Sequence, residues 1–210
     1  MDCAEGLKQL GDKSTTISFT DPPYNLGKDY GEYKDNRQDY LQWMSQVINE
    51  MKRVSQKGII LLLGYQILKD FWDMLPEARL IIVHRRAIGG FDNDYFRMYR
   101  PVLSTVKPVQ RSYDFWNDVR FVSEGYYCRE PHFEHPARTS DDFTSKVIKT
   151  YTTEGDTIFD PFMGVYTTAV CCKKLRRNFI GFEINPAYCK IGEERLTKTQ
   201  ASKNLRNVFV

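Results

Sequence analysis

Thr157-Ile158-Phe159-Asp160-Pro161-Phe162-Met163-Gly164-Val165-Tyr166-Thr167-Thr168 is the stretch on which the fold turns. Its β-branched and aromatic opening reads as a strand ending in an acid, and Pro161 with Gly164 reads as a turn. Thr167-Thr168 then opens a helix carried through Val170 and Leu175. A glycine at a strand-to-helix crossing lets the backbone approach a ligand closely, and the helix N-terminus behind it favours negative charge such as a carboxylate. Asn178-Phe179-Ile180-Gly181-Phe182-Glu183 reads as the next strand. Its terminal acid falls about 20 residues past the loop, where nucleoside-binding α/β folds place an acceptor for ribose hydroxyls.

A second strand tip lies far upstream. Thr15-Thr16-Ile17-Ser18-Phe19-Thr20 is β-branched and apolar, and Asp21-Pro22-Pro23-Tyr24, followed by Asn25, must end it. Two prolines cannot extend a ladder, so the chain turns there. The turn gathers a carboxylate, a carbonyl and an aromatic face at the lip of a sheet. Such a set suits a flat nitrogenous base, whose exocyclic amine donates to the oxygens while the ring stacks. The plainer alternative for the tetrapeptide alone is a Pro-Pro turn with a solvated acid.

Between these tips, strands and helices alternate, which argues for a mostly parallel α/β sheet. Leu41, Met44, Val47, Ile48, Met51 and Val54 recur at helical spacing, with Gly58 as a stop, and the apolar run Ile59 to Leu63 reads as a buried strand. Gln66 to Leu75 reads as a helix closed by Pro76, and Leu80-Ile81-Ile82-Val83 as a further strand. Ser140-Asp141-Asp142 caps a helix bearing Phe143, Val147, Ile148 and Tyr151, and another helix follows Glu183 from about Pro186 to Leu196. The segment 87–134 is the least regular part.

With 210 residues, 41% of them hydrophobic, the chain is expected to form one domain with a sizeable core. A net charge of +3 permits nucleic-acid binding without demanding it. The five cysteines (Cys3, Cys128, Cys171, Cys172, Cys189) show no CxxC spacing, so reduced thiols and a cytoplasmic location are expected, and a zinc site is not. No apolar run approaches membrane-spanning length, and none near the start resembles a secretory signal.

On these residues the chain resembles an amino-group DNA methyltransferase using S-adenosylmethionine, of the class whose catalytic motif precedes its cofactor motif. The matching pieces run in order: Asp2-Cys3, Asp21-Pro22-Pro23-Tyr24, Gly58 to Leu63, His135-Pro136 leading into a helix, and Asp160 to Glu183. The resemblance spans nearly the whole chain. It implies a Rossmann-like fold with a mostly parallel twisted sheet, helices on both faces and a permuted motif order. It also implies methyl transfer to the exocyclic amine of adenine (N6) in double-stranded DNA, with the target base flipped out. Asp rather than Ser at the head of the tetrapeptide favours adenine. Cytosine-N4 or RNA as the target remains an alternative.

The resemblance also assigns roles. Asp21, Pro22, Pro23 and Tyr24 are catalytic: Asp21 and the Pro22 carbonyl accept the amine hydrogens, and Tyr24 stacks on the base. Asp160, Phe162 and Gly164 line the methionine end of the cofactor, Thr167 and Thr168 meet its carboxylate, and Glu183, followed by Asn185, takes the ribose. Asp2 and Cys3 lie near the adenine. Plainer roles stand beside these: a helix cap for Thr167 and Thr168, packing for Cys3, core for Phe162.

Two departures matter. The family usually has glycine where Tyr166 stands; a positive φ there would cost on the order of 1 kcal/mol, and the ring would crowd the methionine site. A non-catalytic nucleic-acid-binding subunit is therefore a third reading. After His-Pro the family often has Thr-Gln-Lys-Pro, whereas Ala137-Arg138-Thr139-Ser140 follow here, with Arg138 a candidate contact to the cofactor carboxylate.

For DNA, Arg85 and Arg86 follow a strand, and Arg97, Arg100, Lys107 and Arg111 continue the basic bias among Tyr95, Phe96, Tyr99 and Tyr113. The alternative is a solvated basic surface over a small aromatic core. Sequence recognition must come from the segment 87–134, from a homodimer mate or partner subunit, or be weak. Finally, Val208-Phe209-Val210 has strand character and is expected to lie beside Asp2.

Overall fold

Ile59-Ile60-Leu61-Leu62 is apolar on both sides of the pleat, and both sides are covered. Ile59 and Leu61 pack into one core cluster while Ile60 and Leu62 pack into another, all at 0% exposure. A strand buried on both faces needs helices above and below it. The computed structural model, which describes residues 3–27, 35–84, 91–92, 95–96, 99–119 and 138–201, supplies them.

The elements are α1 (Cys3–Leu7), β1 (Ile17–Thr20), α2 (Tyr40–Val54), β2 (Ile59–Leu62), a 3-10 turn (Tyr65–Ile67), α3 (Leu68–Met74) and β3 (Arg79–His84). They continue with β4 (Phe91–Asp92), β5 (Tyr95–Phe96), β6 (Tyr99–Ser104), β7 (Phe115–Trp116), α4 (Asp141–Tyr151), β8 (Thr157–Asp160), α5 (Thr167–Lys174), β9 (Asn178–Gly181) and α6 (Pro186–Lys198). The main sheet runs β7-β3-β6-β2-β1-β8-β9, with β6 antiparallel to β2 and β3 and its other pairings parallel. Helices α1, α2 and α3 cover one face, and α4 and α5 cover the other. This is a Rossmann-like arrangement, mostly parallel as the alternation of elements leads one to expect. Among the described residues, no helix is long and apolar enough to cross a membrane.

Three details differ from the sequence expectation. The segment 87–134 contributes β6, a six-residue strand inserted between β2 and β3, so part of it is regular. The buried stripe of α2 begins at Tyr40 (4% exposed), whereas Leu41 is 44% exposed. Tyr40, Met44, Val47, Met51 and Val54 recur with alternating steps of four and three, so Tyr40 lies on the inward stripe and Leu41 is turned out of it. The helix also ends at Val54, ahead of Gly58, which instead leads into β2. Ser140 caps α4 as expected, its hydroxyl accepting from the Phe143 amide at 3.2 Å. Val208-Phe209-Val210 and Asp2 lie outside the described residues.

Candidate active site

Strands β1 and β8 are parallel neighbours, so their C-terminal ends, Thr20-Asp21 and Asp160, open at the same edge of the sheet. In open α/β sheets ligands bind outside that edge. A direct bond ties the tips: the Thr20 hydroxyl donates to Asp160 Oδ1 at 2.7 Å. The Phe162 amide donates to the same oxygen at 3.0 Å, and the Thr168 hydroxyl to Oδ2 at 2.6 Å. Asp160 is 4% exposed, and burial drives its pKa up to about 6 against the pull of these donors. Asp160 and Thr168, expected at the cofactor, thus clamp β1, β8 and α5 together from behind the crevice.

Asp21 is the hub of the upstream tip. The Thr139 hydroxyl donates to its Oδ2 at 2.6 Å, the Tyr24 hydroxyl donates to Oδ1, and Arg100 Nη2 lies 3.3 Å from Oδ1. The turn is held from outside by Tyr40 of α2, whose hydroxyl donates to the Pro23 carbonyl at 2.5 Å. Past Tyr24, Asn25 adopts φ 57°, and the buried Asp35 carboxylate accepts from the Asn25 and Leu26 amides at 2.8 and 3.1 Å. Thr139, Tyr40 and Asp35 escape sequence reading. Only Tyr40 carried a signal, as the first member of an inward helical stripe.

The downstream tip builds a loop of a different kind. Gly164 takes φ 51°, a left-handed conformation that glycine adopts without penalty, and its amide donates to Glu183 Oε2 at 2.8 Å. The Asn185 amide donates to Glu183 Oε1 at 2.8 Å. Burial raises the Glu183 pKa, and the surrounding amides oppose the rise. The result is an oriented carboxylate acceptor beside the glycine turn, three residues ahead of α5, which fits the hydroxyls of a nucleoside. The Asn185 side chain caps α6 by accepting from the Ala187 amide at 2.9 Å. Phe162 is half-buried, edge-on to Trp43 with ring centroids 5.6 Å apart, and Cys3 packs into the core against α2.

Tyr166 does require a positive φ, at 63°. Its ring, however, packs on α6: a Cβ built on Gly192 would fall 2.2 Å from Tyr166 Cγ. The glycine of α6 makes room for the tyrosine ring.

Arg195 of α6 donates to the Val165 carbonyl, to the Thr167 hydroxyl at 3.1 Å and to Asp141 Oδ1 at 2.9 Å. Asp141 also accepts from Arg138 and Lys174, each at 2.9 Å. Burial alone would raise the Asp141 pKa; the Lys174 bond and the three cations lower it. Arg138, a candidate for the cofactor carboxylate, is thus engaged at the head of α4. Of the DNA candidates, Lys107, Arg111 and Tyr113 are exposed, and Arg100 lies on Asp21 and Tyr24. Arg85, Arg86 and Arg97 lie outside the described residues.

The chain matches the N6/N4 DNA methylase family model over residues 15–78 and 64–194. It is 29% identical over 223 residues to the type II methyltransferase M.HpaI of Haemophilus parainfluenzae, covering 91% of this chain and 71% of that protein. It is 27% identical over 238 residues to the DNA adenine methyltransferase YhdJ of Escherichia coli K12, covering 93% and 80%. In structure it is similar to the M1.HpyAVI-SAM complex, with a TM-score of 0.67 at 22% identity, covering 93% of this chain and 96% of that one.

Proposed function

Since this chain belongs to the N6/N4 DNA methylase family, we propose that it transfers a methyl group from S-adenosylmethionine to the N6 amine of adenine in double-stranded DNA, with the base flipped into the crevice. The carrying observation is the junction of tips: Thr20, one residue before Asp21, is bonded to Asp160, four residues before Gly164. An acceptor for an amine and a loop for a nucleoside therefore share one crevice.

When bound, S-adenosylmethionine supplies an electrophilic methyl group. The task of the protein is to make a poor nucleophile available, because an aromatic amine shares its lone pair with its ring. Asp21 and the Pro22 carbonyl accept the two amine hydrogens, which favours a pyramidal nitrogen and stabilises the positive charge growing on it. Tyr24 offers the stacking face, and the rigid strand tips fix the approach. Glu183 would hold the ribose of the cofactor, and the start of α5 would favour its carboxylate. Asp at the head of the tetrapeptide supports adenine, as does the named activity of YhdJ.

Mass analysis of nucleosides from DNA incubated with the protein and S-adenosylmethionine tests the reading. N6-methyladenine is expected, and Asp21→Ala should abolish it, a loss of at least about 100-fold, the size seen when one preorganised hydrogen-bonding group is removed from a site of developing charge. N4-methylcytosine would reassign the base, and a fully active Asp21→Ala would remove Asp21 from its role.

A further inference from the structure

Arg100 stands where the target base is expected. It leaves the start of β6, and its planar guanidinium lies 5.5 Å from the centroid of the Tyr24 ring. Arg100 Nη2 lies 3.3 Å from Asp21 Oδ1 and also donates to the Tyr24 hydroxyl, while Nε donates to the Leu63 carbonyl at 3.2 Å. A flat group of N–H donors that lies against the hydroxyl end of Tyr24 and donates to Asp21 takes the hydrogen-bonding place assigned to the amine of an aminopurine. We propose that Arg100 is an internal stand-in for the target base, holding the amine position in the DNA-free enzyme and yielding it when a base enters.

Three features carry this beyond an ordinary ion pair. First, Oδ1 of Asp21 already receives Tyr24 and Arg100, and Oδ2 receives Thr139, so the oxygen that Arg100 holds has no acceptor position left for an amine. Second, a cation beside Asp21 opposes the positive charge that builds on the amine during transfer, so Arg100 is the donor that has to leave. Third, the side chains of Arg100 and Asp21 are 22% and 19% exposed, so the pair is largely covered yet reached by solvent from one side. Tyr24, by contrast, is confined: a Cβ on Gly64 would lie 3.2 Å from its Cδ2. Burial would lower the Arg100 pKa, but Tyr24 and Asp21 more than offset it, so the stand-in stays charged.

The inference rests on the amine-acceptor reading of Asp21 but not on which base is methylated. Calorimetry on the full chain, with S-adenosylhomocysteine filling the cofactor site, would measure adenosine and cytidine binding to wild type, Arg100→Met and Arg100→Lys. A site that its own side chain fills about nine-tenths of the time binds a ligand about tenfold more weakly. Arg100→Met should therefore bind one nucleoside about tenfold more tightly, with Arg100→Lys between it and wild type because an ammonium donates but lacks the guanidinium fork that reaches Leu63, Tyr24 and Asp21 together. Should Arg100→Met fail to fold, the Arg100 Nε–H resonance of the wild type gives the answer. It should shift when saturating nucleoside is added, and an unmoved signal overturns the stand-in. So does unchanged or weaker affinity in Arg100→Met for both nucleosides. If wild type methylates DNA while that variant gains nothing, the stand-in alone falls; if affinity rises while DNA stays unmethylated, the stand-in holds and the proposed activity falls.

Discussion

Tyr166 and Gly192 form a pair that neither residue explains alone. Tyr166 occupies a left-handed conformation that L side chains reach at a cost of about 1–2 kcal/mol. It keeps that conformation because its ring fills a notch on α6, where any side chain at position 192 would collide with it. Gly192→Ala is expected to destabilise the protein by about 1–3 kcal/mol, the usual cost of overpacking. In a Tyr166→Gly background the same substitution should cost clearly less, because the colliding ring is gone. Urea unfolding of the four proteins measures the difference, and equal costs in both backgrounds would refute the pairing. The sequence shows that Tyr166 is unusual, since its place in a glycine turn is visible. It does not show where the ring goes, because the answer lies 26 residues further on in a helix whose glycine carries no local signal. Arg100 illustrates the same limit. Its charge is legible and suggests a phosphate, but its partners stand 76 and 79 positions away on another strand tip.

At the scale of elements, what was legible follows from local periodicity. The strands β1, β2, β8 and β9, the Ser140 cap and the helix opened by Thr167 are each encoded within a few residues. The antiparallel β6 is hidden in the sequence because Tyr99-Arg100-Pro101 begins it, and a proline inside a short polar-aromatic run argues against a strand. What joins the elements is Asp160, which receives a donor from β1, one from the loop after β8 and one from α5. Its folded-state pKa of about 6 lies above the ordinary 3.8. The folded protein therefore holds the proton more tightly than the unfolded chain does. The stability this contributes is fully present below about pH 4 and is lost as pH rises through about 6, on the order of 3 kcal/mol in all. Asp160→Asn cannot titrate, so its urea midpoint should fall less than that of wild type between those pH values. Parallel profiles for the two proteins would show that the clamp is not the titrating group.

At the scale of the whole molecule, the two motifs are remote in sequence yet lie on adjacent strands of one sheet, so a ligand held by one tip is linked to the folding of both. Binding at about a hundredfold over Kd adds about 2.7 kcal/mol to the folded state. For a chain of this length each kcal/mol moves Tm by about 2–4 °C, so saturating S-adenosylmethionine should raise Tm by about 5–10 °C. The bonds of Asp21 run to Tyr24, Arg100 and Thr139 and not to the Gly164 loop, so Asp21→Ala should keep the shift. Glu183 is bonded to the Gly164 and Asn185 amides and carries the charge assigned to the ribose, so Glu183→Gln should lose most of it. A thermal scan of the three proteins with and without the cofactor separates binding from transfer in one measurement. A full shift in Glu183→Gln would move the ribose site elsewhere, while a lost shift in Asp21→Ala would mean that the two strand tips do not act as separate acceptor and cofactor sites.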